Sequence, residues 1–180
     1  RTALQAGEFE WRRGQIEVAQ ARFVEAAQAD RWAIEPRERM AEVSLQRWRT
    51  SHRESDFEES VQRWEVLADS LPFSSRPNRR LGQAWLSKFE KSHDRNDARK
   101  SAESFAAAVE RYPHHAGLLA EWAIACEVAG LDEKAREVAR RALRQDDINR
   151  QAGHSDKYLE SDLRSRMDRL AGPAGGSEAN

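Results

Sequence analysis

The chain has 180 residues, enough for one ordinary domain or a short run of repeats with a real core. Charged residues make up 34% and hydrophobic residues 39%, with a mean hydropathy of −0.89, yet six Trp and six Phe argue against disorder. The net charge is −1, with 30 basic and 31 acidic residues interspersed, so no basic stripe exists to neutralise phosphates and nucleic acid is not expected as a partner.

Other classes fall away on similar grounds. The single Cys126 excludes an internal disulfide and a cysteine metal site, while leaving the compartment open between cytoplasm and periplasm. No apolar run approaches the roughly 18 to 20 residues needed to cross a bilayer; the most apolar stretch, 118–131, carries Glu121 and Glu127. No signal peptide is visible, and this segment is not expected to touch a membrane itself. The chain begins at Arg1 in what reads as a helix. We therefore expect a piece of a longer protein, whose upstream part could hold an anchor.

In chain order, 4–13 and 15–30 read as two helices about Gly14, the second with Ile16, Ala19, Phe23, Ala26 and Ala27 on one face. Gly14 sits where antiparallel helices need a tight turn. Pro36 suits the first turn of the next helix, which Met40, Ala41, Val43, Leu45 and Trp48 fill to about Thr50. A polar turn over 51–55 leads to Asp56 as the expected N-cap. Phe57, Val61, Trp64, Leu67 and Ala68 then form a stripe that ends near Pro72. Leu81, Ala84, Trp85, Leu86 and Phe89 mark a further helix. Ala102, Phe105, Ala106, Ala108, Val109 and Tyr112 mark its partner, which Asp97 caps and Pro113 stops. The pair 117–129 and 132–145 follows, turning at Gly130-Leu131 with Asp132 as cap. Residues 146–153 read as loop, 155–170 as a last amphipathic helix capped by Ser155, and 172–180 as a flexible tail.

The middle of the chain repeats itself. Shifted by 41 residues, Leu45 falls on Leu86, Ser51-His52 on Ser92-His93, Asp56 on Asp97, Ser60 on Ser101 and Pro72 on Pro113. Trp48 falls on Phe89, Trp64 on Phe105, Pro36 on Pro77 and Arg39 on Arg80. A fixed period of this size is the mark of a repeat architecture.

The spacing of small and aromatic residues resembles the tetratricopeptide repeat (TPR) family. That motif takes a small residue midway along a first helix, a tight turn, then small, aromatic and small positions on a second helix, often with Pro after it. Gly7, Gly14, Ala19, Phe23 and Ala26 supply it first. Ala41, Trp64, Leu67 and Pro72 follow, then Gly82, Phe105, Ala108 and Pro113, and last Ala123, Gly130, Ala135, Ala139 and Ala142. The resemblance implies an all-α, right-handed TPR-like α-solenoid of four helical hairpins plus a C-terminal capping helix. Its units are 1–33, 34–74, 75–115 and 116–149, with the capping helix at 155–170 inside a domain of 1–171. The two middle units are each longer than the usual TPR length by about two helical turns, absorbed by longer helices or longer turns. Residues 145–159 are also similar to the end of TPR tails on bacterial O-antigen ligase or polymerase-like membrane proteins, which implies a place at the cell envelope.

Candidate chemistry is sparse. His52 and His93, each in Ser-His-x-x-x-Asp, lack the third ligand that a metal would want and read as helix-end residues. His114-His115 reads as capping or solvated, and Cys126 as a buried small hydrophobe. No Gly-rich phosphate loop, Gly-x-Ser-x-Gly or His-Glu-x-x-His occurs. No catalysis, cofactor or metal is expected.

The resemblance instead directs attention to the face lined by first helices. Candidate partner-binding residues there are Trp11, Arg12, Glu38, Glu42, Arg76, Arg79, Arg80, Gln83, Glu121 and Ile124, an acidic patch beside a basic one. Such charges can simply neutralise one another, or they can form an amphoteric slot for a peptide or partner helix. Leu4 and Glu8 stand where a Lys and Asn carboxylate clamp would begin, so a chaperone C-terminal tail is not the expected ligand. The expected role is a non-catalytic protein–protein interaction scaffold within a longer bacterial protein. Self-association as a homodimer, or service as the soluble tail of an envelope glycan ligase or polymerase, are the alternatives.

Overall fold

A computed structural model describes residues 2–172, and every described regular element is helical. The expected tail falls, from residue 173 on, outside the described residues. The helices are α1 (Ala3–Arg12), α2 (Ile16–Ala29), α3 (Ile34–Ser51), α4 (Glu54–Ser70), α5 (Arg76–Ser92), α6 (Arg95–Arg111), α7 (Ala116–Val128), α8 (Asp132–Gln151) and α9 (Ser161–Ala171), with a 3-10 turn at Ser155–Lys157. They divide into two compact units, Arg1–Pro72 and Phe73–Asn180.

In the first unit α1 pairs with α2, α2 with α3, and α3 with α4. Phe23, Ala19 and Val43 are buried at its centre, with Leu4, Trp11, Ile16 and Met40 packed around them. Gly7 is required there: a Cβ on it would stand 2.5 Å from the Phe23 ring. Trp48 and Phe57 pack at 5.1 Å, and Trp64 is buried. Between α2 and the α3–α4 hairpin, Arg47 gathers Gln20, Asp56 and Glu59.

The second unit follows the same order, α5 on α6, α6 on α7, α7 on α8 and α8 on α9. Helix α7 is apolar around most of its circumference because neighbours cover it on several sides; Leu118, Leu119, Trp122, Ala123 and Cys126 are all buried. Gly82 repeats the role of Gly7, its would-be Cβ lying 2.8 Å from the Phe105 ring. Trp85 is only half-buried, beneath the ammonium groups of Lys88 and Lys100. Tyr112, expected on the packing stripe, instead ends α6 as an exposed residue.

The extra residues of the 41-residue units lengthen the helices. Helices α3 to α6 have 18, 17, 17 and 17 residues, against 10 and 14 for α1 and α2. The repeat extends to individual hydrogen bonds. Ser60 donates to the Ala41 carbonyl at 2.9 Å and Ser101 to the Gly82 carbonyl at 2.8 Å. At the turns, Ser51 donates to Asp56 at 2.9 Å and Ser92 to Asp97 at 2.8 Å.

Several expected boundaries are corrected. Asp56 and Asp97 lie inside the first turns of α4 and α6, not at their N-caps, because each is drawn back onto the preceding serine. Asp94 caps α6 instead, accepting from the Asn96 N–H at 2.9 Å. Asp132 is the first residue of α8, with Leu131 in the cap position.

The largest correction is at 146–153, where α8 runs on to Gln151. Asp146 is fully buried there and accepts from the Leu159 N–H at 2.6 Å, from Arg150 at 2.7 Å and from Arg164. Those bonds hold the link after α8, a 3-10 turn at Ser155–Lys157 followed by extended backbone at Tyr158 and Glu160, against the end of α8. The last α-helix accordingly starts at Ser161 rather than Ser155. Met167 and Ala171 of α9 are buried with the core of the unit.

Candidate functional site

In the first unit, Arg39 of α3 reaches Glu8 on α1 and, on its own helix, Glu42 at 2.7 Å and Glu35 at 3.8 Å. Burial alone would lower the pKa of this guanidinium; the bonds and charge of Glu42 and Glu8 outweigh it and raise the value. Trp11 does not stand free as an anchor. It packs edge-on to Phe23 at 6.0 Å and lies under Arg39 at 5.7 Å. Arg12 is exposed at the end of α1, and Glu38 is buried on α3.

In the second unit, Arg79 on α5 grips Glu121 on α7 with two bonds of 2.6 and 3.0 Å. Gln83 donates to the same carboxylate at 2.9 Å and accepts from Arg80 at 3.1 Å. Four of the sequence candidates therefore form one connected cluster. Ile124 is partly buried against the apolar core of the unit and Arg76 is exposed at the start of α5.

The histidines take the structural roles expected of them. His52 and His93 terminate α3 and α5 in the left-handed region at φ 57° and 54°, their N–H groups bonded to the Trp48 and Phe89 carbonyls. His115 caps α7, its Nδ1 accepting from the Leu118 N–H at 3.0 Å. Burial and the nearby Arg79 charge lower its pKa, so the ring is kept neutral. Burial pushes the Cys126 thiol up to about 11, as befits an inert core residue. Among the described residues no group of three or more His, Cys, Asp or Glu is placed to hold a metal, and no helix is long and apolar enough to cross a membrane.

Sequence reasoning missed a pair of adjoining pockets in the second unit. One, of about 390 Å³, lies among Arg76, Arg79, Arg80, Gln83, Tyr112 and His115. The other, of about 320 Å³, shares Tyr112 and His115 and is closed by Asn149, Asp156, Lys157 and Tyr158. Its far wall depends on the 3-10 turn in the link after α8, which no local pattern announced. The turn residues Tyr112-Pro113-His114-His115 were the available signal: two aromatic-type rings beside a cap position, here packed edge-on at 5.4 Å.

No protein-family model matches the chain, and no curated protein matches it. Solved structures do match in shape. The thermophilic TPR protein TTC0263 of Thermus thermophilus gives a TM-score of 0.57 at 15% identity, covering 93% of this chain and 96% of that one. MamA from Desulfovibrio magneticus RS-1, from its residue 41 to the end, gives 0.61 at 16% identity, with 93% and 92% covered. A MamA structure from MSR-1 gives 0.61 at 16% identity over 82% of this chain and 76% of that one. At such identities the likeness bears on the fold, which is the all-α hairpin-repeat fold of TPR solenoids.

Proposed function

We propose that this chain is a non-catalytic protein–protein interaction scaffold, which holds a peptide or partner helix against its first-helix faces. TPR-type neighbours support a protein-binding role in general, and the cluster on α5 and α7 supports the particular surface. One observation carries the reading: Arg79, Glu121 and Gln83 are held in a fixed, partly desolvated array on two adjacent first helices. Internal pairing pre-orients such groups, so a partner meets a rigid polar pattern instead of mobile side chains.

The test is selection of displayed random peptides on the immobilised chain, followed by titration of the winners with soluble protein. Exchanging the pair as Arg79→Glu with Glu121→Arg keeps an internal ion pair while inverting the pattern. Weakening of binding by about tenfold or more, near 1.4 kcal/mol, supports the reading. Saturable binding that ignores substitutions on the first-helix faces, or no selected binder at all, contradicts it.

Self-association is the second reading, favoured by Trp32 and Phe73, which are 75% and 95% exposed. Light scattering across concentrations separates the two, since the scaffold reading gives a monomer and self-association gives a dimer that Phe73→Ser or Trp32→Ser dissolves.

A further inference from the structure

We infer that the groove between α2 and α4 is a second docking site, which takes an amphipathic partner helix by seating its aliphatic side chains and setting one of its carboxylates against Arg37. The site belongs to the second helices of the first unit and shares no residue with the cluster on α5 and α7. Helices α2 and α4 both pack on α3, and the cleft left over α3 encloses about 410 Å³. Ala27 of α2, Met40 of α3, and Val66 and Leu67 of α4 give it a mostly apolar lining. Pockets of this size take a small ligand or a few anchoring side chains. Val66 is 57% exposed although it is a branched apolar residue inside a helix. Shifted by 41 residues, Val66 falls on Ala107 and Arg37 on Asn78, so the same hairpin is built elsewhere in the chain without either.

The polar part of the lining narrows the choice of occupant. The Arg37 guanidinium donates to the backbone carbonyl of Arg31, which leaves its positive charge without a carboxylate. Glu59 does not answer it, being held by Arg63 at 2.6 Å, by Arg47, and by the Ser44 hydroxyl at 3.0 Å. An extended segment would need partners for its main-chain groups, and the lining offers only the Gln62 amide, since Glu59 and Arg63 are committed to each other. A helix brings its main-chain bonds with it and presents apolar anchors at i and i+4. A second copy of the chain does not supply that stripe. The exposed large apolar side chains on its described helices come one to a helix, as Phe9, Val18, Ile34, Val66 and Ile148. Affinity here rests on aliphatic burial, while a rim pair at Arg37 sets the direction of the helix and adds less.

The experiment titrates the full chain by fluorescence anisotropy with labelled, lactam-bridged helical peptides. One carries Leu at i and i+4 with a flanking Glu, a second has Gln for that Glu, and a third has Ala for both Leu. The first is expected to bind about tenfold tighter than the Ala peptide and about threefold tighter than the Gln peptide. Val66→Lys should weaken binding about tenfold with an unchanged melting curve, because that side chain already lies largely in water. Arg37→Gln should remove only the preference for Glu over Gln. No binding of the Leu peptide, equal binding of the Leu and Ala peptides, or indifference to Val66→Lys would each overturn the proposal. So would equally tight binding of an unbridged, proline-interrupted peptide of the same composition, or a dimer of the chain that Val66→Lys dissolves. Equal binding of the Glu and Gln peptides would overturn the part given to Arg37. Exchanging Arg79→Glu with Glu121→Arg should leave the helical peptide unaffected. If that exchange weakens it as Val66→Lys was expected to, the groove assignment fails and the first-helix reading stands.

Discussion

His52 and His93 occupy a backbone conformation that costs an L-residue about 1–2 kcal/mol and glycine almost nothing. Their recurrence at the same turn, after a serine that bonds to the following helix, makes them elements of a duplicated turn between long helices. Replacing either by Gly should raise stability by about 0.5–1 kcal/mol after the entropic cost in the unfolded chain, as measured by urea denaturation. His115 behaves oppositely. Its pKa is lowered on folding, so protonation favours the unfolded chain. The stability tied to its neutral form is complete above about pH 6.5 and is lost as pH falls toward the folded value. His115→Asn keeps a side-chain N-cap acceptor and should flatten the stability profile between about pH 7 and 5. Cys126 should resist a thiol reagent at pH 8 until the chain unfolds, given its pKa of about 11.

At the scale of elements, two features divide what the sequence disclosed from what it hid. The hairpins were legible because apolar periodicity and the 41-residue spacing are direct consequences of packing: Gly82 faces Phe105 and Gly7 faces Phe23, and each pair can be read as small against large. Gly82→Ala should therefore destabilise by about 1–3 kcal/mol despite alanine's better helix propensity, because the ring it meets is fully buried. The end of α8 was illegible because Asp146-Asp147 looks like a loop. Only tertiary partners make a buried carboxylate tolerable there, and of these Arg150 is local while Arg164 and the Leu159 N–H are not. Burial would raise the pKa of Asp146, but bonds from Arg150, Leu159 and Arg164 outweigh it and lower the value. Its contribution is thus complete above about pH 4 and fades as pH falls through the folded value. Asp146→Asn should loosen α9 first, with a loss of about 1–3 kcal/mol. Faster amide exchange confined to 159–171 would show it.

For the whole molecule, the two units share one construction, long hairpins that bury small-against-aromatic contacts and leave polar first-helix faces outside. The candidate cluster was only partly legible. Arg79, Arg80, Gln83 and Glu121 could be placed on those faces from periodicity, whereas their bonding could not, and the pocket at Tyr112 and His115 that Asp156, Lys157 and Tyr158 close needs the link after α8 for its wall. Trp11 shows the limit from the other side: a tryptophan at a helix end reads as an anchor until Phe23 and Arg39 are seen to cover it. The most direct measurement is hydrogen–deuterium exchange of the full chain with and without a saturating amount of a peptide selected on the immobilised chain. Slowed exchange concentrated at 76–83 and 117–124, with α2 and the middle of α6 unchanged, is the result expected of partner binding at the cluster on α5 and α7. Protection spread evenly over the chain, centred elsewhere, or absent at saturation would contradict it.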